Sequence, residues 1–212
     1  MDTEQEFAYD MYNDIAKYFS NSPESVVDFV EHFLKSRQPE EKGLEIGCGN
    51  GTNLGIREDL DLIGVEISES LIQLCMEKGL RVYQQNCCSL KFKDNSFHYA
   101  FAIAVFHHLA TAERRLTAIR EMIRVLKPGG KGIFSVWSLE RTRRINRAYK
   151  PFVLEDNNLS WTRKSDGKLF SRYYYIFNKS KLNKLLEYFT DDIIINSIFN
   201  KRRNWVVEFT KK

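Results

Sequence analysis

The chain has 212 residues, 43% of them hydrophobic, enough to bury a core and fold as one domain. Its longest apolar stretches, such as Tyr99 to Phe106, fall far short of the roughly 20 residues that span a bilayer, and the opening MDTEQEFAYD is acidic where a signal peptide is basic, so a soluble, unexported protein without a membrane partner is expected. The net charge of +4 is mild, but cations gather in RTRRINRAYK (Arg141 to Lys150) and at Lys201, Arg202 and Arg203, and local clusters matter more to a polyanion than the average does.

The N-terminal region reads as a helix over Glu4 to Phe19 and a second one after Ser22, with Pro23 at its first position. Short apolar runs then alternate with helical patterns: Leu44 to Ile46, Leu62 to Glu66, Val82 to Gln85, Tyr99 to Val105 and Gly132 to Trp137. That alternation predicts an α/β fold with a buried parallel sheet. One intervening helix is well marked, with Thr111 as cap, Glu113 in the first turn, and Leu116, Ile119, Ile123 and Leu126 on one face before Pro128, Gly129 and Gly130. The polar, basic stretch Leu139 to Lys168 reads as loop-rich. A helix over Lys179 to Phe189 follows, then strands Ile193 to Ile198 and Trp205 to Phe209, which lack a crossover and should pair antiparallel. A single domain is expected, with N-terminal helices over 1–36, a cofactor-binding core over 43–138, a basic variable segment over 139–170 and a substrate-side helix and strands over 171–212.

Three glycines, Gly47, Gly49 and Gly51, follow the first strand at alternate positions, where the chain must turn sharply and a ligand must touch backbone. Alone, such a pattern is as often a plain turn. The acids discriminate further. Glu66 ends the second strand, where a carboxylate can accept ribose hydroxyls, but the G-x-G-x-G spacing is not the G-x-G-x-x-G of a dinucleotide site. Glu45 would repel a pyrophosphate, yet it suits a cofactor carrying a sulfonium and an ammonium group; the bland alternative is a solvated acid at a strand end. The four cysteines, Cys48, Cys75, Cys87 and Cys88, lack C-x-x-C spacing, which argues against a zinc knuckle or disulfide framework and for a reducing, cytoplasmic or nuclear, compartment.

LEIGCGNG (44–51), GVEIS (64–68), IAVFHHLATAERR (103–115) and LKPGGKGIFSVWSLE (126–140) resemble the successive motifs of class I methyltransferases, specifically the eukaryotic tRNA wobble-uridine carboxymethyl methyltransferases. YDMYNDIAKYFS (9–20), Arg172-Tyr173-Tyr174 and Asn204-Trp205 are similar as well, so the resemblance covers nearly the whole chain. Three departures stand out: a segment shortened to Asn21-Ser22-Pro23-Glu24, Asn86 where the family has an acid against adenine, and a short insert over 141–168. The resemblance implies a Rossmann-like fold with a seven-stranded, mostly parallel sheet, one antiparallel strand and helices on both faces. It also implies S-adenosylmethionine as cofactor, the carboxylate of 5-carboxymethyluridine in tRNA as methyl acceptor, and a small zinc-binding activator protein as partner in a heterodimer.

On this reading Glu45, Gly47, Gly49, Gly51, Glu66, Asn86, Cys87 and Ala104 hold the cofactor, and His107, His108 and Arg114 serve catalysis. Tyr12, Arg141, Arg143, Arg144, Arg172 and Tyr173 contact the substrate. The two histidines should point differently, one toward substrate and one into the fold, and with no third ligand suggested by spacing no metal is expected. Arg114, Arg115 and Arg172 are candidates to fork onto a carboxylate or phosphate. Tyr173, Tyr174 and Tyr175, with Phe170 and Trp161, are candidate faces for a splayed base, although such runs are more often core. Rival readings are a methyltransferase of ribosomal RNA or of a small molecule, and an inactive RNA-binding subunit.

Overall fold

The computed structural model describes residues 12, 13, 16, 28–139, 153–162, 167 and 169–212, the side chains of 159–162 and 169–172 excepted. The expected N-terminal helices therefore lie mostly outside the described residues; Tyr12, Asn13 and Ala16 are helical. Helix α1 (Asp28–Lys35) buries Phe29, Val30, Phe33 and Leu34 on one face. The first half of the sheet is β1 (Lys42–Ile46), β2 (Asp61–Glu66), β3 (Val82–Gln84) and β4 (Phe97–Ile103), with α2 (Glu69–Glu77) between β2 and β3. Ser68 caps α2 by accepting the Leu71 N–H.

Helix α3 (Ala112–Val125) is capped by Thr111, as its sequence predicts, with Glu113 in the first turn. Strand β5 (Leu126–Trp137) starts directly after it, six residues earlier than expected. Pro128, Gly129 and Gly130 mark an irregularity inside this strand, whose register against β4 shifts between Phe97 and Tyr99. After β6 (Glu155–Thr162) and β7 (Leu169–Ile176) come α4 (Lys179–Leu186), capped by Asn178, then β8 (Ile193–Lys201) and β9 (Asn204–Lys211).

The strand order is β3-β2-β1-β4-β5-β9-β8. Pairs from β3 through β5 are parallel, and β9 runs antiparallel to both β5 and β8. The seven strands and single antiparallel strand are as the resemblance implies. Because helices cover both faces, residues of the middle strands are buried in unbroken runs, 97 and 99–102 among them. One face packs Leu44, Ile46, Phe134, Val136 and Phe209 with Ile119, Met122, Leu182 and Leu186, and the other packs Phe101, Ile133 and Val206 with α1.

The loop-rich expectation for 139–168 is corrected over 155–162. Strand β6 pairs antiparallel with β7 to make a separate two-stranded sheet, with Asn158 opposite Tyr173. Its polar sequence, EDNNLSWT, hides a strand whose partner supplies the aromatic residues. This ribbon joins the main sheet where Phe177 N–H donates to Trp137 O (3.1 Å) and Leu139 N–H to Phe177 O (2.9 Å), so it stands over the carboxyl ends of β4 and β5. In open sheets of this type that end is where ligands bind.

Candidate active site

Beyond β1 the chain turns through Gly47, Gly49 and Gly51, all with positive φ (67°, 56° and 79°). The three meet different needs. A Cβ on Gly47 would lie 2.5 Å from Val105 Cγ2 and one on Gly51 2.4 Å from Leu80 Cδ1, whereas one on Gly49 would meet nothing within 4 Å. Gly47 and Gly51 thus permit close packing, and Gly49 leaves backbone bordering open space that a ligand can approach. Gly47 and Cys48 N–H groups donate to Val65 O (2.8 and 3.0 Å), and the Cys75 thiol donates to Gly49 O (3.2 Å).

Glu66 binds this loop to the end of β2. Its Oε2 accepts the Gly49 N–H (3.0 Å), and its Oε1 accepts those of Ile67 (2.8 Å) and Ser68 (3.1 Å). Burial raises its carboxyl above the usual range, and these three amides pull against that shift. With one amide on Oε2, a second lone pair there can take a ribose hydroxyl. Glu45 is 1% exposed, so the solvated alternative fails. Its Oε1 accepts from Asn53 Nδ2 (2.7 Å), while Oε2 is buried with no partner among the described residues. Burial pushes the carboxyl well up. A dry carboxylate oxygen of this kind suits a cationic group, and beside an open Gly49 backbone and Glu66 the donor set fits S-adenosylmethionine.

Asn86 Oδ1 accepts the Cys88 N–H (2.9 Å), which leaves its Nδ2 as the group offered to a base edge, and Cys87 is half-buried against the core. The strand expected to reach Val105 ends at Ile103, because Ala104 takes φ of 60°, a costly conformation for a residue with a Cβ. The Ala104 N–H donates to Ser135 O (3.2 Å) and Oγ (3.1 Å), which holds it there.

The chain then forms a 3₁₀ turn, Phe106–His108. His107 is fully buried, its Nδ1 accepting the Trp137 N–H (3.2 Å) and its ring lying 5.6 Å from Tyr174 at 27°. Trp137 and Tyr174 stack at 4.1 Å and 6°. His108 is half-buried, and its Nδ1 lies 3.2 Å from Tyr173 O, which can only accept. Nδ1 therefore carries the proton of the neutral ring, and Nε2 accepts from the Tyr12 hydroxyl (3.1 Å). Asn13 Oδ1 accepts from Ser68 Oγ (2.8 Å) and Ser70 N–H (3.0 Å), so Tyr12 and Asn13 link the histidine turn to the start of α2. Of the two histidines, His107 packs and His108 turns toward Tyr12.

The aromatic run departs from expectation. Tyr173 is 7% and Tyr174 2% exposed, and the Tyr173 hydroxyl donates to Asp156 Oδ1 and approaches Ala110 O (3.1 Å). These rings hold the ribbon against the histidine turn instead of presenting faces to a base. Arg115 is also internal, donating to Leu109 O (2.7 Å) with its guanidinium 3.7 Å from the Tyr175 ring. Arg114 is half-buried in the first turn of α3. Arg141, Arg143 and Arg144 lie outside the described residues, as do the side chains of Arg172, Phe170 and Trp161. Lys201 and Arg202 pair with Asp28 at 2.8 and 3.3 Å. Sequence reasoning did not select Asn13, Asn53, Trp137 or Asp156 as site residues; Asn13 and Trp137 carried a signal, inside the YDMYNDIAKYFS and SVWSLE runs. Among the described residues no three His, Cys, Asp or Glu side chains converge as metal ligands.

A profile described as "Methyltransferase domain" matches residues 44–134. The structure resembles the CcbJ methyltransferase of Streptomyces caelestis (TM-score 0.74, 15% identity, covering 94% of this chain and 97% of that one) and a SAM-dependent methyltransferase of Aquifex aeolicus (TM-score 0.66, 16% identity, 94% and 98%), likenesses of fold alone. The tRNA (carboxymethyluridine(34)-5-O)-methyltransferase of Xenopus tropicalis is 36% identical over 145 residues, 68% of this chain but 23% of that protein. The chain spans less than a quarter of the length of the Xenopus tropicalis, Macaca fascicularis and Mus musculus proteins of that description. The enzyme of that description in Schizosaccharomyces pombe is 30% identical over 222 residues, 96% of each chain. By that kinship along almost its whole length, the chain belongs to the tRNA (carboxymethyluridine(34)-5-O)-methyltransferase family.

Proposed function

We propose that the chain transfers a methyl group from S-adenosylmethionine to the carboxylate of 5-carboxymethyluridine at the tRNA wobble position, forming the methyl ester. End-to-end kinship with a relative of similar size carries this reading. The acceptor, with an ordinary pKa of roughly 4, is anionic near neutral pH and needs no general base. Positioning is what remains for the protein to supply.

The bound cofactor supplies an electrophilic methyl carbon on a sulfonium sulfur. Glu45 and the Gly49 backbone hold its amino-acid end, Glu66 its ribose, and the Asn86 amide, with Cys87 and Ala104, its adenine side. Tyr12 and His108 border the acceptor side, with Arg114 and Arg172 assigned to the acceptor carboxylate or its neighbouring phosphate and Arg141, Arg143 and Arg144 to the RNA backbone. The floor of buried His107 and Tyr174, with half-buried Trp137 stacked on Tyr174, keeps water from this side, which favours a step in which an anion meets a sulfonium and charge disperses.

The activator protein is part of the same proposal. Strand β3 is a sheet edge, with Tyr83 52% exposed, and the adjoining cation, Arg81, is drawn to Asp61 (2.5 Å). A strand added there satisfies the open backbone and covers Tyr83. A cytoplasmic location follows from the same reading. The test is methyl transfer to bulk tRNA, with and without the activator, followed by nucleoside mass analysis. A new methyl-ester nucleoside is expected; its absence with the activator present refutes the assignment.

A further inference from the structure

Strands β8 and β9 are joined by a two-residue turn. Lys201 pairs with Asn204 across it, and its central residues, Arg202 and Arg203, have φ of 48° and 65°. Positive φ at both central positions is the requirement of a type I′ turn, for which Asn-Gly, Asp-Gly or Gly-Gly is the ordinary choice. Two arginines strain the backbone where an unstrained pair would close the same hairpin. The return on that strain must lie in the side chains.

The turn is anchored at both its base and its flank. Arg203 O accepts the Ser138 N–H (3.2 Å), and Asn204 stands opposite Trp137 in the β5–β9 register. The turn therefore sits at the carboxyl end of β5, next to the ring that stacks on Tyr174 and packs against His107. On its flank, Asp28 of α1 takes both Lys201 and Arg202. One carboxylate thus orients two of three consecutive cations and leaves the segment net positive.

We propose that the Arg202–Arg203 turn is a phosphate-binding point for RNA, gripping the sugar–phosphate backbone beside the nucleotide that the histidine turn receives. The proposal rests on the assignment of a tRNA substrate. Guanidinium groups fork onto phosphate oxygens, and a turn held at Ser138 and Asp28 presents them with little freedom left to lose. In sequence the turn is distinct from the basic run at 141–150. An arginine pair that only solvated the hairpin would gain nothing from the left-handed strain.

Replacing the turn with Arg202→Asn and Arg203→Gly separates the two roles. This variant relieves the strain, so its Tm should hold or rise by a few degrees. Its affinity for bulk tRNA should fall, and the slope of log K against log salt should flatten by about 0.7–0.9 per lost contact. A charge-retaining Arg202→Lys, Arg203→Lys variant should keep most of the slope, and S-adenosylmethionine affinity should be unchanged in both. If the Asn-Gly chain folds poorly, Arg202→Gln with Arg203→Gln reads the same slope. An unaltered slope in the neutral variants overturns the proposal, and so does loss of the activator protein with tRNA binding intact. A wild-type chain that binds no tRNA at any salt sinks the tRNA assignment together with this inference, whereas wild-type binding with unaltered variant slopes sinks the inference alone.

Discussion

Glu45→Gln should stabilise the ligand-free protein and weaken it as a binder of its cofactor. Glu45 is 1% exposed, with Asn53 on Oε1 and no partner on Oε2 among the described residues. Burial is the first cause of its raised carboxyl, and the neighbouring Cys75 and Glu66 push the same way against Asn53. A folded-state value above the unfolded one means that this group's contribution is complete below roughly pH 4.3 and is lost as pH rises through the folded value. Each unit of that rise removes about 1.4 kcal/mol once the group is ionised, and about 1 kcal/mol moves Tm by about 2–4 °C in a chain of this size. Glutamine keeps the oxygen that Asn53 needs and cannot ionise. The variant and wild type should therefore melt together near the acid end of the stable range and diverge toward about pH 8, the variant melting higher; Glu66, also raised by burial, is one of the groups behind the slope that remains. Cofactor binding should move oppositely, because an amide offers no charge to an ammonium group. Losing a charged hydrogen bond of about 1.5–3 kcal/mol raises Kd roughly tenfold to a hundredfold. Calorimetric melts across pH and titration calorimetry with S-adenosylmethionine measure both. Parallel melting curves at every pH, or an unchanged Kd, would refute the reasoning.

Gly49→Val places a Cβ in the open space beside the loop at a φ of 56°; about 1–2 kcal/mol of stability and all measurable cofactor binding should be lost, and an intact titration curve would count against the site. Tyr174→Ala removes a ring 2% exposed and stacked on Trp137, at about 3–5 kcal/mol by urea unfolding, with methyl transfer falling further than cofactor affinity because the histidine turn loses its floor. Val82→Pro deletes a backbone donor on the β3 edge, so a variant with wild-type circular dichroism should no longer co-purify with the activator; retention of the complex would put the activator elsewhere.

Most of the sheet was legible because its strands obey a strong rule. Buried on both faces, β1, β2 and β4 are short, mostly apolar runs, and the Thr111 cap marks α3 without ambiguity. The start of β5 was not, since Pro128-Gly129-Gly130 reads as punctuation, yet β4 and the neighbouring chain hold it as strand. Strand β6 was hidden for another reason: EDNNLSWT has little intrinsic strand character, and only pairing with β7 makes it one. At the site, the glycines and Glu66 follow from spacing, whereas the dryness of Glu45 depends on Asn53 and the loop folding over it. The same holds for the tyrosines. Whether such a run faces solvent or the fold is decided by what lies beneath it, here Trp137 and the two histidines.

The placement of β9 between β5 and β8 has a consequence for the order of folding. It is synthesised after both of its neighbours, yet it occupies an interior position, so β8 has no sheet to join until residues 204–211 arrive. A growing chain can pair β1, β2, β4 and β5 in turn, but the outer edge of β5, with Ile133, Phe134 and Val136, stays open until then. Newly made chains should accordingly pass through a state with a sticky, half-finished sheet, and a product cut off before β9 should aggregate instead of folding.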